Sequence, residues 1–123
     1  MYKAIVFAGT TEGYALCEFL AENHVPVYAC AATEYAGSLL KENEFLHVSA
    51  GRLKTEDMEE LFRREAPEIV LDATHPYAAE VTKNIRTACE NGSIRYQRVL
   101  RPEGEKNREA IYVESTEKAA ELL

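Results

Sequence analysis

The sequence has no tryptophan, two methionines and three cysteines, and it lacks a long apolar run. Cys17, Cys30 and Cys89 are an odd number and lie far apart, so we interpret them as buried thiols of a reducing compartment rather than as disulfides or metal ligands. No apolar run approaches the roughly 20 residues that a membrane-spanning helix needs. The N-terminus leads directly into a predicted strand and has no features of a cleavable signal. We therefore expect a cytoplasmic protein with no membrane partner.

Basic residues are also scarce, because 14 lysines and arginines stand against 21 aspartates and glutamates, which gives a formal net charge of −7. Proteins that bind nucleic acid neutralise phosphates with a basic surface. The acidic balance therefore argues against nucleic acid as the main partner. A small phosphorylated ligand remains compatible, since charges are screened over about 8 Å at physiological salt and the groups lining a pocket then matter most.

Predicted strands and helices alternate along the whole chain. The β-rich apolar segments are residues 2–8, 25–31, 45–49, 68–71 and 94–100, with residues 111–113 as a candidate sixth strand. Apolar strands that alternate with helices are typical of a parallel sheet buried on both faces. The predicted fold is therefore α/β, a Rossmann-like parallel sheet of order 3-2-1-4-5 with helices on both faces.

The same pattern predicts where the helices begin and end. Thr33 is expected to cap the second helix and Thr55 the third. The fourth helix is expected to start at Pro76 and to end at Asn91-Gly92 through a left-handed cap. The residues expected to face the core are Leu39 and Leu40 in the second helix, Met58, Leu61 and Phe62 in the third, and Ala78, Val81, Ile85 and Ala88 in the fourth.

The most informative segment is Asp72-Ala73-Thr74-His75-Pro76-Tyr77, which turns an apolar strand into a helix. Pro76 suits the first turn of a helix, where its missing N–H is not needed. The turn brings an acid, a hydroxyl, an imidazole and a helix N-terminus to the carboxyl end of a strand, where open α/β sheets bind their ligands. We predict a functional site here; the alternative is that Thr74 or His75 is only a helix cap.

A second loop, Gly9-Thr10-Thr11-Glu12-Gly13, is predicted to face that turn across the crevice between strands 1 and 4. It does not fit the dinucleotide motif G-x-G-x-x-G, because Gly9 placed at any of the three glycines leaves the other two unmatched. Gly9 nevertheless permits close approach of a backbone, and Thr10 and Thr11 supply hydroxyls. The helix start adds N–H groups for a phosphate. The two loops together indicate nucleotide binding.

The residues alone leave the choice between NAD and NADP undecided. An acid about 20 residues after the glycine turn usually holds the ribose hydroxyls of NAD. Glu34 lies near that position, but it follows Thr33, whose hydroxyl can bind a 2′-phosphate. Glu34 would repel that phosphate if it pointed inward.

An arginine cluster follows at Arg95, Arg98 and Arg101. Side chains of a strand alternate between its two faces, so three arginines spaced three residues apart cannot all lie on one face. Arg101 precedes Pro102, and we therefore expect it to lie beyond the end of the strand. A guanidinium there can hold carboxylates in a bidentate pair; the alternative is a solvated side chain.

Taken together, Gly9–Gly13, Gly51-Arg52-Leu53, Asp72–Ala78 and Arg98-x-x-Arg101-Pro102 resemble the precorrin-6A reductases of cobalamin biosynthesis, including the cobalt-precorrin-6A branch. Ala8 replaces a glycine that this family usually has. Members reduce one double bond of a tetrapyrrole macrocycle with NADPH, and two Rossmann-like halves enclose their active site. The resemblance implies that residues 1–123 are the NADPH-binding, N-terminal half of an enzyme about twice as long. The apolar end of the chain at Leu122-Leu123 fits a missing C-terminal domain.

The resemblance also implies roles for individual residues. Independently of the resemblance, the imidazole of His75 makes it the catalytic candidate, as a proton relay, as a positioning group or only as a cap. The cofactor-binding candidates are Gly9, Thr10, Thr11, Glu12 and Gly13 at the pyrophosphate, Thr33 and Arg52 at the adenosine end, and Ala73, Thr74 and Pro76 beside the nicotinamide. The candidates for the substrate's carboxylates, or for locking the two halves together, are Tyr77, Arg98 and Arg101.

Two other classes of function compete with a reductase. A non-enzymatic nucleotide-binding or redox-sensing regulatory module would need only the fold. A sugar-nucleotide epimerase or dehydratase would need a Tyr-x-x-x-Lys pair late in the chain, and the sequence has none. Whether the reading frame continues for another domain distinguishes the reductase from the regulatory module.

Overall fold

The computed structural model describes residues 2–75, 78–100 and 110–112. Strands and helices alternate from residue 4 to residue 100, as the sequence pattern predicts. In chain order they are β1 (Ala4–Ala8), α1 (Thr11–Glu22), β2 (Val27–Ala31), α2 (Glu34–Ser38), β3 (Leu46–Ala50), α3 (Thr55–Glu65), β4 (Ile69–Ala73), α4 (Ala79–Gly92), β5 (Arg95–Leu100) and β6 (Ala110–Tyr112).

The strands form one parallel sheet in the order β3-β2-β1-β4-β5-β6. This order confirms the predicted 3-2-1-4-5 arrangement, and β6 extends it at one edge. The chain runs outward from β1 in one direction through β2 and β3, then returns to pair β4 with the other side of β1. The connections that follow β1 and β4 therefore diverge, which opens a crevice at the carboxyl edge of the sheet.

The core lies in two layers, one on each face of the sheet. Alternate residues of each strand point to opposite faces, so Val6 and Leu71 join the layer under α1, whereas Ile5 and Val70 join the layer under α3 and α4. The helices contribute their apolar stripes to these layers, with Leu16, Cys17 and Leu20 on one side and Met58, Leu61, Phe62, Ile85, Ala88 and Cys89 on the other. Helices on both faces are thus confirmed, and both layers support the strand ends that carry the site.

Two apolar residues predicted for the core are on the surface instead. Leu39 is 51% exposed and Val81 is 39% exposed, whereas Leu40 and Ile85 are buried. Helix α2 is only five residues long and Leu39 is its C-cap, so the chain turns before a second apolar face can form. Val81 lies in the first turn of α4, one turn before the residues that reach the sheet.

The helix ends also differ from the predicted ones. Helix α3 begins at Thr55, but its N-cap is Lys54, whose backbone N–H donates to the Asp57 carboxylate over 3.0 Å. Helix α4 begins at Ala79 with Ala78 as its N-cap, and Pro76 lies outside the described residues. The left-handed C-cap falls on Ser93, at φ 55°, one residue after the expected glycine.

All three cysteines are buried and unpaired, as predicted. Burial raises the pKa of the Cys17 and Cys89 thiols to about 12, so they stay protonated at neutral pH and are poor nucleophiles. Among the helices that the structure describes, none has both the length and the apolar character required to cross a bilayer.

Candidate functional site

The loops after β1 and β4 touch at the carboxyl edge of the sheet. The carbonyl oxygen of Ala73, the last residue of β4, accepts two hydrogen bonds from the first loop: one from the Gly9 N–H over 3.2 Å and one from the Thr10 hydroxyl over 2.9 Å. Ala73 itself is buried, so it joins the site through its backbone rather than its side chain. The structure therefore brings together the two segments that the sequence predicts to face one another.

Gly9 is where the two backbones come closest. A Cβ atom added to Gly9 would lie 3.2 Å from the Thr74 Cα and 3.5 Å from the His75 nitrogen. A side chain here would require the opposite backbone to move by a few tenths of an ångström, because the nearest atoms belong to the main chain of Thr74 and His75. Gly9 is nevertheless exposed on its other side, so the loop remains open to a ligand.

Helix α1 starts directly beneath this loop. Thr10 is its N-cap, and the Thr10 hydroxyl accepts a hydrogen bond from the Gly13 N–H over 3.2 Å. Thr11 is exposed and Glu12 is half-buried in the first turn. The first N–H groups of a helix have no acceptor within the helix and carry its positive dipole end, a combination that suits an anion.

Gly13 differs from its predicted place at the pyrophosphate, because it lies beneath the loop and is buried. A Cβ atom added to Gly13 would lie 2.9 Å from the Ala73 Cβ and 3.2 Å from the Ala8 Cα. Gly13 therefore lets α1 pack closely onto β1 and β4. The last glycine of G-x-G-x-x-G has that packing role in dinucleotide-binding domains. Ala8 and Thr10 then stand where that motif has its other two glycines, which explains why matching from Gly9 fails.

Asp72, the acid of the informative segment, is fully buried. Its Oδ1 accepts hydrogen bonds from the Thr74 N–H over 3.1 Å and from the Thr74 hydroxyl over 2.7 Å. It also pairs with Arg98 Nη1 at 2.8 Å. The strand register places Asp72 opposite Arg98 on β5, so the pair follows directly from the order of the sheet.

The second carboxylate oxygen of Asp72 holds the neighbouring elements. Its Oδ2 accepts hydrogen bonds from the hydroxyls of Thr82 on α4 and Tyr96 on β5, each over 2.8 Å. Burial, followed by the negative charge of Asp72, raises the pKa of Tyr96, so the phenol remains a proton donor to the carboxylate. Arg86 lies over the Tyr96 ring, with its guanidinium carbon 5.1 Å from the centroid. Sequence reasoning missed Thr82 and Tyr96, which no local motif marks.

Arg98 does not lie at a substrate surface. It is 6% exposed, and its Nη1 donates to Asp72 and, over 2.9 Å, to the Thr74 hydroxyl. This position gives Arg98 a structural role and does not support the expected contact with substrate carboxylates. Arg95 is exposed on the same strand. Arg101 and Tyr77 lie outside the described residues.

Thr74 and His75 form the wall of the crevice opposite Gly9. Thr74 is half-buried, and its hydroxyl turns inward to Asp72 rather than toward a ligand. His75 is exposed, and its carbonyl accepts a hydrogen bond from the Ala78 N–H over 2.9 Å, just before α4 begins. The imidazole therefore belongs to the surface of the site.

The residues predicted for the adenosine end lie farther along the same edge. Thr33 is exposed at the carboxyl end of β2, where its hydroxyl caps α2 by accepting from the Ala36 N–H over 3.1 Å. Arg52 is exposed after β3, and the Gly51 N–H donates to the Ala31 carbonyl over 2.9 Å, which ties that loop to the end of β2. Tyr35, beside Thr33, is 76% exposed, and sequence reasoning missed it.

A groove of about 510 Å³ lies between the C-terminal ends of α3 and α4, at the opposite edge of the sheet. Arg63 and Asn91 are among its lining residues, and it contains none of the predicted site residues. Ligands of parallel α/β sheets bind at the carboxyl edge, so the crevice is the stronger candidate.

Comparisons with known proteins identify the family of the chain. The family model described as precorrin-6x reductase CbiJ/CobK matches residues 3–123. Cobalt-precorrin-6A reductase of Salmonella typhimurium is 33% identical over 99 residues, which cover 80% of this chain and 37% of that protein. The enzyme of the same name from Priestia megaterium is 33% identical over 122 residues, which cover 95% of this chain and 48% of that protein. The chain thus spans less than half the length of these relatives.

Solved structures show the same fold. A structure of CobK precorrin-6A reductase superposes with a TM-score of 0.71 at 24% identity, covering 88% of this chain and 42% of that one. The Bordetella bronchiseptica enzyme WbmG, solved in complex with NAD and UDP, superposes with a TM-score of 0.63 at 16% identity, covering 79% of this chain and 37% of that one. The match of the family model over nearly the whole chain shows that this chain belongs to the precorrin-6x reductase family.

Proposed function

We propose that this chain is the NADPH-binding half of a reductase that reduces a double bond of precorrin-6A or cobalt-precorrin-6A in cobalamin biosynthesis. The observation that carries the proposal is the crevice at the carboxyl edge, where a Cβ atom added to Gly9 would lie only 3.2 Å from the Thr74 Cα. Such a crevice between the first and fourth strands is where Rossmann-like sheets bind dinucleotides. The family of the chain supplies the reaction.

The residues present fit such a cofactor. Gly9 lacks the Cβ that would enter the narrow space between its loop and Thr74, its other side is exposed, and α1 begins just after this loop. Thr10, Thr11 and Glu12 would hold the pyrophosphate through backbone N–H groups and the Thr11 hydroxyl, since the Thr10 hydroxyl already serves the Ala73 carbonyl. When bound, NADPH supplies the hydride; the protein orients it and provides the electrostatic setting.

The nicotinamide would lie against Thr74 and His75, with Ala73 supporting the loop from below and Pro76 continuing it. The structure describes Thr74 and His75 on the wall opposite Gly9, and Pro76 lies outside the described residues. His75 is the exposed group that can orient the ring or pass a proton to the substrate.

The adenosine end favours a 2′-phosphate in this proposal. Thr33 offers an exposed loop position and Arg52 an exposed guanidinium near the same edge of the sheet. Glu34 is also exposed, so it can turn toward solvent and need not face the phosphate. Guanidinium groups pair well with phosphate oxygens, which supports NADPH over NADH.

The substrate in this proposal is a tetrapyrrole with several carboxylates. Tyr77 and Arg101 remain the predicted contacts, whereas buried Arg98 contributes through Thr74. A C-terminal domain absent from this chain would close the other side of the site, since the chain covers 37% to 48% of the relatives described above. We further propose a cytoplasmic enzyme without nucleic-acid or membrane partners, consistent with the net charge of −7.

Isothermal titration of the complete gene product with NADPH and with NADH tests the cofactor assignment. We expect NADPH to bind more tightly by about tenfold or more, equivalent to about 1.4 kcal/mol. Equal affinities or a preference for NADH would contradict the assignment.

The variant Gly9→Val tests the location of the site. We expect it to weaken NADPH binding by about tenfold or more while the circular dichroism spectrum stays native, because a branched side chain enters the narrowest part of the crevice. Gly92→Val is the matched control, since Gly92 lies at the end of α4 on the opposite edge of the sheet. Unchanged affinity in a folded Gly9→Val protein would place the phosphate site elsewhere.

A further inference from the structure

We propose that the buried Asp72–Arg98 pair positions the Thr74–His75 loop for the cofactor, and that this task belongs to one oxygen of the Asp72 carboxylate. Oδ1 determines the position of Thr74 in the crevice wall, whereas Oδ2 binds side chains of α4 and β5 and stabilises their packing. The identity of the bound cofactor rests on the function proposed above, but the control of the loop does not.

The Oδ1 atom fixes the backbone where the chain leaves β4. It accepts both the N–H and the hydroxyl of Thr74, over 3.1 Å and 2.7 Å. Two bonds from one residue to one carboxylate oxygen define the direction of the turn, because neither group can rotate without breaking the other bond. Thr74 is therefore held by a carboxylate with no exposed surface.

Arg98 completes this arrangement from the neighbouring strand. Its Nη1 donates to Asp72 Oδ1 over 2.8 Å, to the Asp72 carbonyl over 3.2 Å and to the Thr74 hydroxyl over 2.9 Å. The Thr74 hydroxyl has a single proton, which goes to Asp72, so its lone pair faces Arg98. The guanidinium thus determines the orientation of the hydroxyl as well as the position of the carboxylate.

The position of Thr74 determines the width of the crevice. The Thr74 Cα is the nearest atom to a Cβ built on Gly9, at 3.2 Å, and the His75 nitrogen follows at 3.5 Å. A small displacement of Thr74 would therefore change the gap between the two loops. A gap of this kind must match its ligand closely, since misplacement by about 1 Å can cost 10²-fold in catalysis.

The Oδ2 atom serves a different part of the molecule. It accepts hydrogen bonds from the hydroxyls of Thr82 on α4 and Tyr96 on β5, two elements that do not form the crevice wall. The Thr82 and Thr74 hydroxyl oxygens lie 3.3 Å apart. Because each gives its proton to Asp72, this approach is a contact rather than a hydrogen bond. Thr74 and Thr82 can therefore be altered separately, although they share one carboxylate.

The test compares Thr74→Val with Thr82→Val in the complete gene product, because both remove one hydroxyl from Asp72 without changing the shape of the side chain. The readouts are the Gly9 and His75 backbone amide resonances without cofactor, NADPH affinity by titration, and the thermal midpoint. We expect both variants to lower the midpoint. Only Thr74→Val should move the two resonances and weaken NADPH binding by about tenfold; Thr82→Val should change affinity by less than about twofold.

Arg98→Lys distinguishes positioning from direct contact by Thr74. It keeps the charge but loses the planar fork, and it leaves Thr74 unaltered. We expect it to move the same two resonances in the same direction as Thr74→Val. Equal effects of the two threonine variants on NADPH affinity, or unmoved resonances in Thr74→Val, would overturn the proposal. If the unaltered protein binds no NADPH, the proposed function fails, while the resonances still decide whether the loop is positioned in this way.

Discussion

The His75 side chain is exposed, and it lies on a loop whose backbone is held by hydrogen bonds to buried groups. Thr74, its neighbour, is bound to a buried carboxylate, and the His75 carbonyl receives the Ala78 N–H. The imidazole therefore reaches the surface from a backbone that is held on both sides. Such a group can orient a ligand without reorganising, and it can also exchange protons with water.

We expect His75→Asn to lower the turnover number of the complete enzyme by less than about tenfold. Asparagine can still donate a hydrogen bond, and exposure lets water supply the proton to the substrate. General acid catalysis contributes about 10²–10⁴-fold, so a loss in that range would contradict a positioning role and identify His75 as the acid. The measurement is NADPH oxidation with cobalt-precorrin-6A as substrate. His24→Asn is the matched control, because His24 is exposed in a left-handed turn that asparagine tolerates.

The residues of this site show what a sequence reveals and what it leaves out. The segment around Thr74 and His75 was predictable, because a strand-to-helix turn with polar groups is a local pattern. The inward orientation of Asp72 was not, since it depends on Arg98, which lies 26 positions away and becomes its neighbour only through the strand register. A buried acid and a buried arginine each look like surface groups until the sheet pairs them.

At the level of elements, the packing of α1 onto the sheet decides where its N-terminus points. Gly13 brings the helix close to β1 and β4, with Ala73 and Ala8 directly beneath it. The Thr10 cap and the Ala73 carbonyl join the same helix to the site. A change in the distance between α1 and the sheet would therefore also change the geometry of the loop.

We expect Gly13→Ala to destabilise the fold by about 1–2 kcal/mol, because a methyl group this close costs toward the upper end of the usual ~1–3 kcal/mol of overpacking and the helix propensity of alanine offsets part of it. The new methyl group would lie 2.9 Å from the Ala73 Cβ, which outweighs the roughly 1 kcal/mol that alanine gains over glycine within a helix. Denaturant unfolding measures the change.

The double variant Gly13→Ala with Ala73→Gly is the control for this explanation. Removing the Ala73 methyl relieves the closest approach, so the two changes together should cost less than their separate effects added. Simple additivity, or a Gly13→Ala protein as stable as the original, would show that the helix adjusts freely. The new methyl group would still lie 3.2 Å from the backbone of Ala8, so we expect the rescue to be partial.

The order of the elements could be predicted more completely than their ends. The alternating pattern indicated the strand order, because parallel strands need crossover helices and these pack on both faces. Helix α2 is shorter than its apolar residues suggested, and α4 ends on left-handed Ser93 rather than on Gly92. Tertiary contacts determine such ends, and here Ile94 closes the turn by donating its N–H to the Cys89 carbonyl over 2.9 Å.

At the scale of the whole molecule, the described residues form a parallel sheet with a core layer on each face, and they line one wall of the proposed active site. The crevice is built by residues 9–13 and 73–75, and both loops rest on buried strands. The segments of the two relatives that match this chain cover 37% and 48% of those proteins, so each relative is more than twice as long as its matched segment. Cofactor binding and catalysis can therefore be separated experimentally.

We expect residues 1–123 alone to bind NADPH but to oxidise it with cobalt-precorrin-6A at least about 100-fold more slowly than the complete gene product. The reason is positioning: holding two reactants in register contributes about 7–11 kcal/mol to catalysis, and one wall of the site cannot hold a large macrocycle against the cofactor. Titration measures binding, and the loss of NADPH absorbance measures turnover. Equal turnover by the isolated chain would show that it contains the entire active site. Binding lost together with turnover would show that the second half is needed to form the cofactor crevice itself, which the hydrogen bonds between the two loops argue against.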